Sequence, residues 1–296
     1  MLTRITSPYY WLLRSELRVG FYSWFMFVGM IAGLKTLPAL VLILKSLLAM
    51  FSMALSVYVY NDVSDIEADK ISAEVGEIHY IHRPLVTGKA TVLNAKIFIL
   101  VLACIGLGIA LSINLQFFAL LSLYGVLGIS YSTPPFNLKN RFLLKQLVIA
   151  SGQAVSCLAG GAAVGIISAP VVYTTALFFT LTFCATPLLD IRDIYADKKV
   201  GRRTFPIVIG PKSTIKFTTI TTLAIILISL VSYSWSGFNS AFAILFSASF
   251  FLYFYSVFYI YKNLNNPNLI EKAVRQMIRP FAIIIQISVI IGVIQL

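Results

Sequence analysis

The stretch YNDVSDIEAD, residues 60–69, decides how this sequence is interpreted, because it places four carboxylates directly after a long apolar segment. Asn61, Asp65 and Asp69 are spaced four residues apart, so a helix would place their side chains on one face, one turn apart. Carboxylates grouped in this way at the end of a membrane helix repel one another unless a cation lies among them. The stretch therefore predicts a cation site at a helix end.

The composition of the chain is that of a membrane protein. Of its 296 residues, 59% are hydrophobic and only 11% are charged, which lies outside the range of ordinary soluble domains. The net charge of +12 does not indicate a nucleic-acid partner, because the basic residues of a membrane protein are expected in its cytoplasmic loops. The three cysteines lie in apolar stretches without metal-ligand spacing and are interpreted as packing residues.

Nine apolar stretches are predicted to cross the bilayer, since a helical span needs about 20 such residues. The predicted spans are 19–36, 38–60, 92–112, 115–132, 143–166, 169–190, 214–233, 239–261 and 279–296. The predicted fold class is therefore an all-α membrane protein with nine transmembrane helices in one bundle.

The distribution of charge predicts the orientation of these spans. Of the 23 basic residues, all but Lys35 and Lys45 precede the first span or follow an even-numbered one. All eleven acidic residues lie on the same side. By the positive-inside rule, this pattern predicts a multi-pass protein of the cytoplasmic membrane. The N-terminus and the acidic segments are expected on the cytoplasmic face, and the C-terminus outside.

A second acidic segment, DIRDIYAD at 190–197, ends the sixth predicted span, four spans after the first. An even number of spans returns the chain to the same face, and Asp190, Asp193 and Asp197 have helical spacing. Arginine and glycine follow each acidic segment. The pattern predicts two parallel repeats, about 19–132 and 143–261, followed by a last helix at about 279–296.

Two carboxylate groups without histidine or cysteine predict an all-oxygen site for a hard cation, Mg²⁺, Mn²⁺ or Ca²⁺. Mg²⁺ in proteins commonly completes its coordination with water and substrate phosphate, so two opposed groups suggest a bound diphosphate. An apolar bundle below such a site favours an amphipathic substrate such as an isoprenyl diphosphate. The basic residues that can neutralise its phosphate oxygens are Arg83, Lys139, Arg192, Lys198, Arg202 and Arg203.

Three segments resemble the motifs of the UbiA-type intramembrane prenyltransferases. They are NDVSDIEAD at 61–69 with RPL at 83–85, YSTPPFNLK at 131–139, and DIRDIYAD at 190–197 with GRRT at 201–204. The resemblance extends over roughly residues 15–290, with the motifs in family order. It implies a bundle of nine helices around a central cavity open to the lipid.

The resemblance also implies a reaction, the Mg²⁺-dependent transfer of a prenyl group from its diphosphate to an acceptor, with Mn²⁺ as an alternative ion. The implied metal ligands are Asn61, Asp65, Asp69, Asp190, Asp193 and Asp197. Among them, the implied catalytic residues are Asp65, Asp69, Asp193 and Asp197. The implied diphosphate-binding residues are Asn61, Arg83, Lys139, Asp190 and Tyr131.

The acceptor is left open between an aromatic compound, a quinone precursor and a lipid. The second acidic motif resembles most the branch that includes homogentisate, chlorophyll and archaeal ether-lipid prenyltransferases. The loop at 70–82 is longer than is usual in the family, and its His79 and His82 are candidates for acceptor binding or simple surface residues. Aromatic candidates for steadying an allylic cation are Tyr58, Tyr124, Tyr131 and Phe183.

Two other functions are considered. A membrane terpene cyclase would use the same diphosphate chemistry without an acceptor. A cation or anion transporter is disfavoured, because transporters place their ionisable residues near the midplane and often have inverted repeats.

Overall fold

The computed structural model describes residues 7–15, 19–74 and 81–294, and these residues form helices and loops without a strand. The helices are α1 (Pro8–Ser15), α2 (Gly20–Leu34), α3 (Leu40–Ser64), α4 (Ile66–Glu74), α5 (Val92–Ile113), α6 (Leu115–Ser132), α7 (Leu144–Ala163), α8 (Ala169–Ala185), α9 (Ile194–Lys199), α10 (Phe205–Val208), α11 (Pro211–Ser232), α12 (Ser240–Lys262), α13 (Pro267–Ala273) and α14 (Arg279–Val293). Short 3₁₀ helices cover Leu138–Asn140 and Thr186–Ile191.

Eight helical segments of the described chain are long and apolar enough to cross a membrane. They are Leu40–Ser64, Val92–Ile113, Leu115–Ser132, Leu144–Ala163, Ala169–Ile191, Pro211–Ser232, Ser240–Lys262 and Pro267–Val293. The prediction of an all-α membrane protein with many spans is confirmed, but the count of nine is not.

The remaining predicted span, 19–36, corresponds to α2, which has only 15 residues and ends where Lys35 adopts a left-handed conformation. A helix of this length rises about 22 Å, less than the thickness of the hydrocarbon core. Most of α2 is buried against α3, α7, α8 and α14. Because protein surrounds it, its length is not set by the lipid.

Two glycines bring α2 and α7 into backbone contact. A Cβ atom on Gly29 would lie 1.9 Å from the carbonyl oxygen of Cys157, and one on Gly160 would lie 1.9 Å from that of Met26. Cys157 precedes Gly160 by three residues, as Met26 precedes Gly29, so the two contacts are reciprocal. Reciprocal contacts are typical of elements related by a two-fold axis. α2 and α7 are the helices that open the two predicted repeats, and the repeats themselves remain a prediction.

Both acidic segments lie at the same end of the bundle, as predicted. The guanidinium of Arg202 reaches Asp65 in the first segment at 3.2 Å and Asp197 in the second at 3.3 Å. At the other end, the amide of Asn114 donates to the carbonyl of Ala162 at 2.8 Å. Both acidic segments therefore lie at the end of the bundle opposite Asn114.

The last helical segment begins earlier than the predicted span at 279–296. It starts at Pro267, and a π turn at Val274–Ile278 joins α13 to α14. Arg275 and Arg279 consequently lie on the side of a helix and not in a loop, a placement that the charge pattern alone does not show.

We expect Gly160→Ala to destabilise the protein, because the added methyl would overlap a backbone oxygen that cannot move without shifting α2. Overpacking of this kind costs about 1–3 kcal/mol. The measurement is the unfolding temperature in detergent. Gly108→Ala on α5 is the control, since nothing lies within 4 Å of its added Cβ. Equal unfolding temperatures for the two variants would contradict the close packing of α2 and α7.

Candidate active site

The first acidic segment is held around Arg83. The Arg83 Nη1 atom donates to Asp62 Oδ1 at 2.6 Å and to Asp69 Oδ2 at 2.5 Å, and both carboxylates are buried. Asp62 lies off the stripe predicted from the sequence, yet it shares its partner with Asp69. Helix α3 ends at Ser64 and α4 begins at Ile66, so the predicted stripe does not lie on one uninterrupted helix.

Asp65 occupies the break between these two helices and turns towards other cations. Lys139 Nζ donates to Asp65 Oδ1 at 2.5 Å, and Arg202 Nη2 donates to Asp65 Oδ2 at 3.2 Å. The backbone N–H of Arg203 donates to the carbonyl of Asn140 at 3.3 Å, which ties the segment carrying Lys139 to the loop after the second acidic segment. Asp65 therefore links the first acidic segment to Lys139 and to the loop after the second acidic segment.

The second acidic segment is built around Lys145, in the first turn of α7. Lys145 Nζ lies 2.8 Å from Asp190 Oδ1 and 3.7 Å from Asp197 Oδ2. Gln146 Nε2 donates to the other Asp190 oxygen at 2.6 Å. Sequence reasoning counted Lys145 only as a loop charge and missed Gln146, because their distance from Asp190 along the chain gave no signal.

Asp193 does not join this group. Both of its oxygens accept from Arg192, at 2.6 and 2.7 Å, and Arg192 also donates to Glu271 at 2.5 Å. The Asp193 side chain is 34% exposed, whereas Asp190 and Asp197 are buried. The expectation of one face for all three residues fails, because α8 ends at Ala185 and the chain continues as a 3₁₀ helix and a turn to α9.

Two further predicted residues border the carboxylate site. Asn61 donates through Nδ2 to the hydroxyl of Ser132 at 2.5 Å, which links the ends of α3 and α6. Tyr131, half-buried beside Ser132, lies within electrostatic range of Lys145, Arg202 and Asp190. Both residues are therefore at the same bundle end as the carboxylates.

Two of the three other aromatic candidates cluster around Tyr22. The Tyr58 hydroxyl lies 3.3 Å from the Tyr22 hydroxyl, and the Tyr124 ring meets the Tyr22 ring edge-on at 5.4 Å. Phe183 instead stacks on Phe179 along its own helix, with 6.3 Å between the ring centroids. No pattern in the sequence singles out Tyr22.

Burial favours the neutral form of both an acidic and a basic residue of this site. Burial raises the pKa of the Asp69 carboxyl above its ordinary value, although the adjacent Arg83 opposes the shift. Burial likewise lowers the pKa of the Lys139 ammonium, with Asp65 opposing. In each case the loss of hydration outweighs the effect of the ion pair on the pKa. A ligand that brings a stronger counter-charge would therefore stabilise the charged forms of these residues.

The donors fit a hard cation by their chemistry. The two segments converge with oxygen donors only, and Asp197 Oδ2 is buried without a hydrogen-bond partner. Within residues 7–15, 19–74 and 81–294, however, no three carboxylates, histidines or cysteines are grouped closely enough to hold one ion. Lysine and arginine side chains lie between the acids instead, so the predicted metal ligands remain a prediction.

A cavity of about 1060 Å³ opens beside the carboxylate site, between α2, α8 and the last helical segment. Its walls are largely apolar, and ionisable side chains cluster along part of its lining. The apolar lining includes Phe21, Phe25, Phe178, Leu181, Phe281 and Ile285. The lining residues that are acidic, basic or histidine, called here the cavity mouth, are His82, Arg192, Asp193, Glu271, Arg275 and Arg279.

Of the predicted metal ligands, only Asp193 lines this cavity. Exposed His82 also lines it, which favours the acceptor-side interpretation of this residue over a simple surface position. His79 lies outside the described residues. The cavity therefore meets the second acidic segment at one of its three carboxylates.

The matching family model is the UbiA prenyltransferase family, over residues 22–272. The chain belongs to this family, which confirms the resemblance drawn from the three motifs. Its structure is similar to the one described as giving insights into the biosynthesis of digeranylgeranylglyceryl phosphate synthase in membranes, with a TM-score of 0.74, 22% identity and 98% of each chain covered. It is also similar to a UbiA homolog from Archaeoglobus fulgidus bound to GPP and Mg²⁺, with a TM-score of 0.65, 19% identity, and 97% of this chain and 100% of that chain covered.

Two curated relatives are digeranylgeranylglyceryl phosphate synthases. The protein from Sulfolobus acidocaldarius is 33% identical over 168 residues, which cover 57% of this chain and 58% of that protein. The protein from Methanopyrus kandleri is 30% identical over 165 residues, which cover 56% of this chain and 59% of that protein. The chain thus spans somewhat under two thirds of the length of these relatives.

We expect Lys145→Met to destabilise the protein strongly, by about 3–5 kcal/mol, because it leaves the buried Asp190 without its cation and leaves Asp197 with Arg202 alone. The measurement is unfolding in detergent, with Lys198→Met at an exposed position as the control. Adding Asp190→Asn to Lys145→Met should recover part of the loss, since it removes one uncompensated charge. A double variant no more stable than Lys145→Met alone would argue against the pairing.

Proposed function

We propose that the protein is an intramembrane prenyltransferase that moves a prenyl group from an isoprenyl diphosphate to a lipid acceptor carrying a glyceryl phosphate. The observation that carries the proposal is the convergence of both acidic segments, through Arg202, at one end of an apolar bundle and beside a large cavity. Membership in the UbiA prenyltransferase family supports the reaction class. The proposed location is the cytoplasmic membrane, with this end facing the cytoplasm.

The ion that fits these oxygen donors is Mg²⁺, as in the Archaeoglobus fulgidus homolog, with Mn²⁺ as an alternative. Its proposed ligands are Asn61, Asp65, Asp69, Asp190, Asp193 and Asp197. When bound, it would neutralise charge on the diphosphate and thereby make the diphosphate a better leaving group.

The basic residues of the site are proposed to bind the diphosphate itself. Lys139 and Arg202 share Asp65, and Arg83 is bound to Asp62 and Asp69. Diphosphate oxygens would replace carboxylate oxygens on these cations, while the carboxylates face the metal. Because Lys139 and Asp69 are both disfavoured as buried charges, a ligand that brings anion and cation together relieves both costs.

The proposed reaction balances as a substitution at the first carbon of the prenyl group. The bond from this carbon to the diphosphate oxygen breaks, and its electron pair leaves with the diphosphate. The acceptor hydroxyl oxygen forms the new C–O bond, and its proton passes to water. Tyr131, beside Asn61 and its partner Ser132, is proposed to line the reacting end of the prenyl group.

The acceptor class is inferred from the relatives and the cavity. The name digeranylgeranylglyceryl phosphate describes a product with two geranylgeranyl groups on one glyceryl phosphate. Making the second of its bonds requires geranylgeranyl diphosphate and geranylgeranylglyceryl phosphate. We extend this pair of substrates to the present chain, whose cavity combines apolar walls with an ionisable mouth as such an acceptor requires.

The test uses the purified protein with Mg²⁺, geranylgeranyl diphosphate and geranylgeranylglyceryl phosphate, with products followed by mass spectrometry. We expect a digeranylgeranylglyceryl phosphate product that requires the acceptor and is lost with a chelator. A hydrocarbon or prenyl alcohol as the main product, formed equally well without acceptor, would support a terpene cyclase instead. No consumption of the diphosphate would contradict both enzymatic functions.

Substitutions in the carboxylate site should separate chemistry from folding. We expect Asp65→Ala and Asp193→Ala to lower turnover by about 10²-fold or more, as loss of a group that stabilises developing charge does. Both variants should remain membrane-inserted and monodisperse by size-exclusion chromatography. Leu100→Ala, at an exposed apolar position of α5, is the control and should keep full activity. Full activity in either aspartate variant would refute the assignment.

A further inference from the structure

The cavity mouth carries more positive than negative charge. Arg192, Arg275 and Arg279 face two acids, Asp193 and Glu271, and His82 adds a titratable group. Arg192 is bound to both acids, and Glu271 also accepts from Arg275. Arg279 has no ion pair among the described residues and is exposed. The cavity therefore presents an arginine without a counter-charge.

The shape of the last helical segment places these residues together. Glu271, Arg275 and Arg279 are spaced four residues apart, and the π turn Val274–Ile278 lies between the first and the last of them. On an α-helix, residues spaced four apart are each rotated somewhat past the previous one about the helix axis. A π turn rotates through a smaller angle per residue, so it offsets this rotation. All three side chains consequently line the same cavity. π turns inside α-helices are frequent at functional sites.

A chain of ion pairs connects Arg275 to the proposed reaction centre. Asp193 is bound to Arg192 at 2.6 Å, Arg192 to Glu271 at 2.5 Å, and Glu271 to Arg275. An anion on Arg275 and Arg279 would therefore lie in the cavity that Asp193 also lines, without occupying the buried carboxylate site. The apolar walls of the cavity extend from there between α2, α8 and α14.

From this placement we propose that Arg275 and Arg279 form a binding site for the phosphate of a prenyl glyceryl phosphate acceptor, whose chain lies along the apolar cavity walls. The inference rests on the proposed function and adds the residues that select its acceptor. A guanidinium pair suits a phosphate monoester, because arginine binds phosphate oxygens in a bidentate manner. The buried cations around Asp65 and Asp190 remain for the diphosphate of the other substrate.

The test compares KM for the two substrates in Arg279→Gln and in Arg275→Gln. We expect KM for geranylgeranylglyceryl phosphate to rise about tenfold, in line with one charged hydrogen bond at an exposed site, and KM for geranylgeranyl diphosphate to stay unchanged. Arg279→Lys should lie between, since it keeps the charge and loses the bidentate geometry. Lys272→Gln is the matched control, an exposed cation of the same helix that does not line the cavity.

A second acceptor isolates the phosphate. With geranylgeranylglycerol, which lacks the phosphate, the KM of wild type should be as high as the KM of the arginine variants for geranylgeranylglyceryl phosphate. The arginine substitutions should not raise the KM for geranylgeranylglycerol any further. Adding phosphatidylglycerol to the detergent tests whether bulk phospholipid phosphate uses the site instead. Strong competition by it against wild type, with none against Arg279→Gln, would assign the site to membrane lipid and overturn the acceptor role.

The remaining outcomes separate this inference from the proposed function. If wild type turns over the acceptor but its KM is unchanged in both arginine variants, only the inference fails. A rise in KM for geranylgeranyl diphosphate instead would overturn it by assigning the arginines to the diphosphate. If wild type turns over no acceptor, the proposed function fails, and thermal stabilisation by geranylgeranylglyceryl phosphate decides the site. Stabilisation that Arg279→Gln abolishes supports the phosphate site, and its absence in wild type refutes it.

Discussion

The compensation of buried and half-buried carboxylates by neighbouring cations is the constraint on which the rest of this structure depends. Asp65, Asp190 and Asp197 lie at the end of an apolar bundle, where each charge loses hydration and needs a partner. Lys139, Lys145 and Arg202 supply those partners, and Arg202 joins both acidic segments. The same groups that stabilise the protein without substrate are thus suited to bind a metal and a diphosphate, since both ligands offer each charge a stronger partner.

The close contact of α2 and α7 explains how two distant segments reach one place. Gly29 and Gly160 let α2 and α7 pack backbone against backbone, and side chains of ordinary size would hold them apart. Because the contacts are reciprocal, α2 and α7 lie at corresponding levels of the bundle. The acidic segments that follow α3 and α8 therefore reach the same end of it. The small residues Gly29 and Gly160 are therefore needed to bring the carboxylates of the site together.

The sequence predicts the all-helical membrane fold and the shared end of the two acidic segments, because hydropathy and charge spacing depend on local pattern. The resemblance of three motifs to known ones indicates the family. It does not predict the breaks at Asp65 and after Ala185, which decide where each carboxylate points. For this reason Asp62 shares Arg83 with Asp69, and Asp193 is bound to Arg192 instead of lying with Asp190 and Asp197. Lys145, Gln146 and Tyr22 were missed because their roles arise from packing between helices far apart in the chain.

The placement of Asp193 apart from Asp190 and Asp197 also depends on the last helical segment. Glu271, on the last helical segment, binds Arg192, and Arg192 in turn holds both oxygens of Asp193 at the cavity mouth. Two repeats related by symmetry would give two equivalent halves, whereas joining a prenyl diphosphate to a different acceptor requires two unlike binding sites. The added helix provides that difference, because it places Arg275 and Arg279 on one side of the cavity and draws Asp193 towards them. The asymmetry thus lies where the proposed acceptor meets the diphosphate.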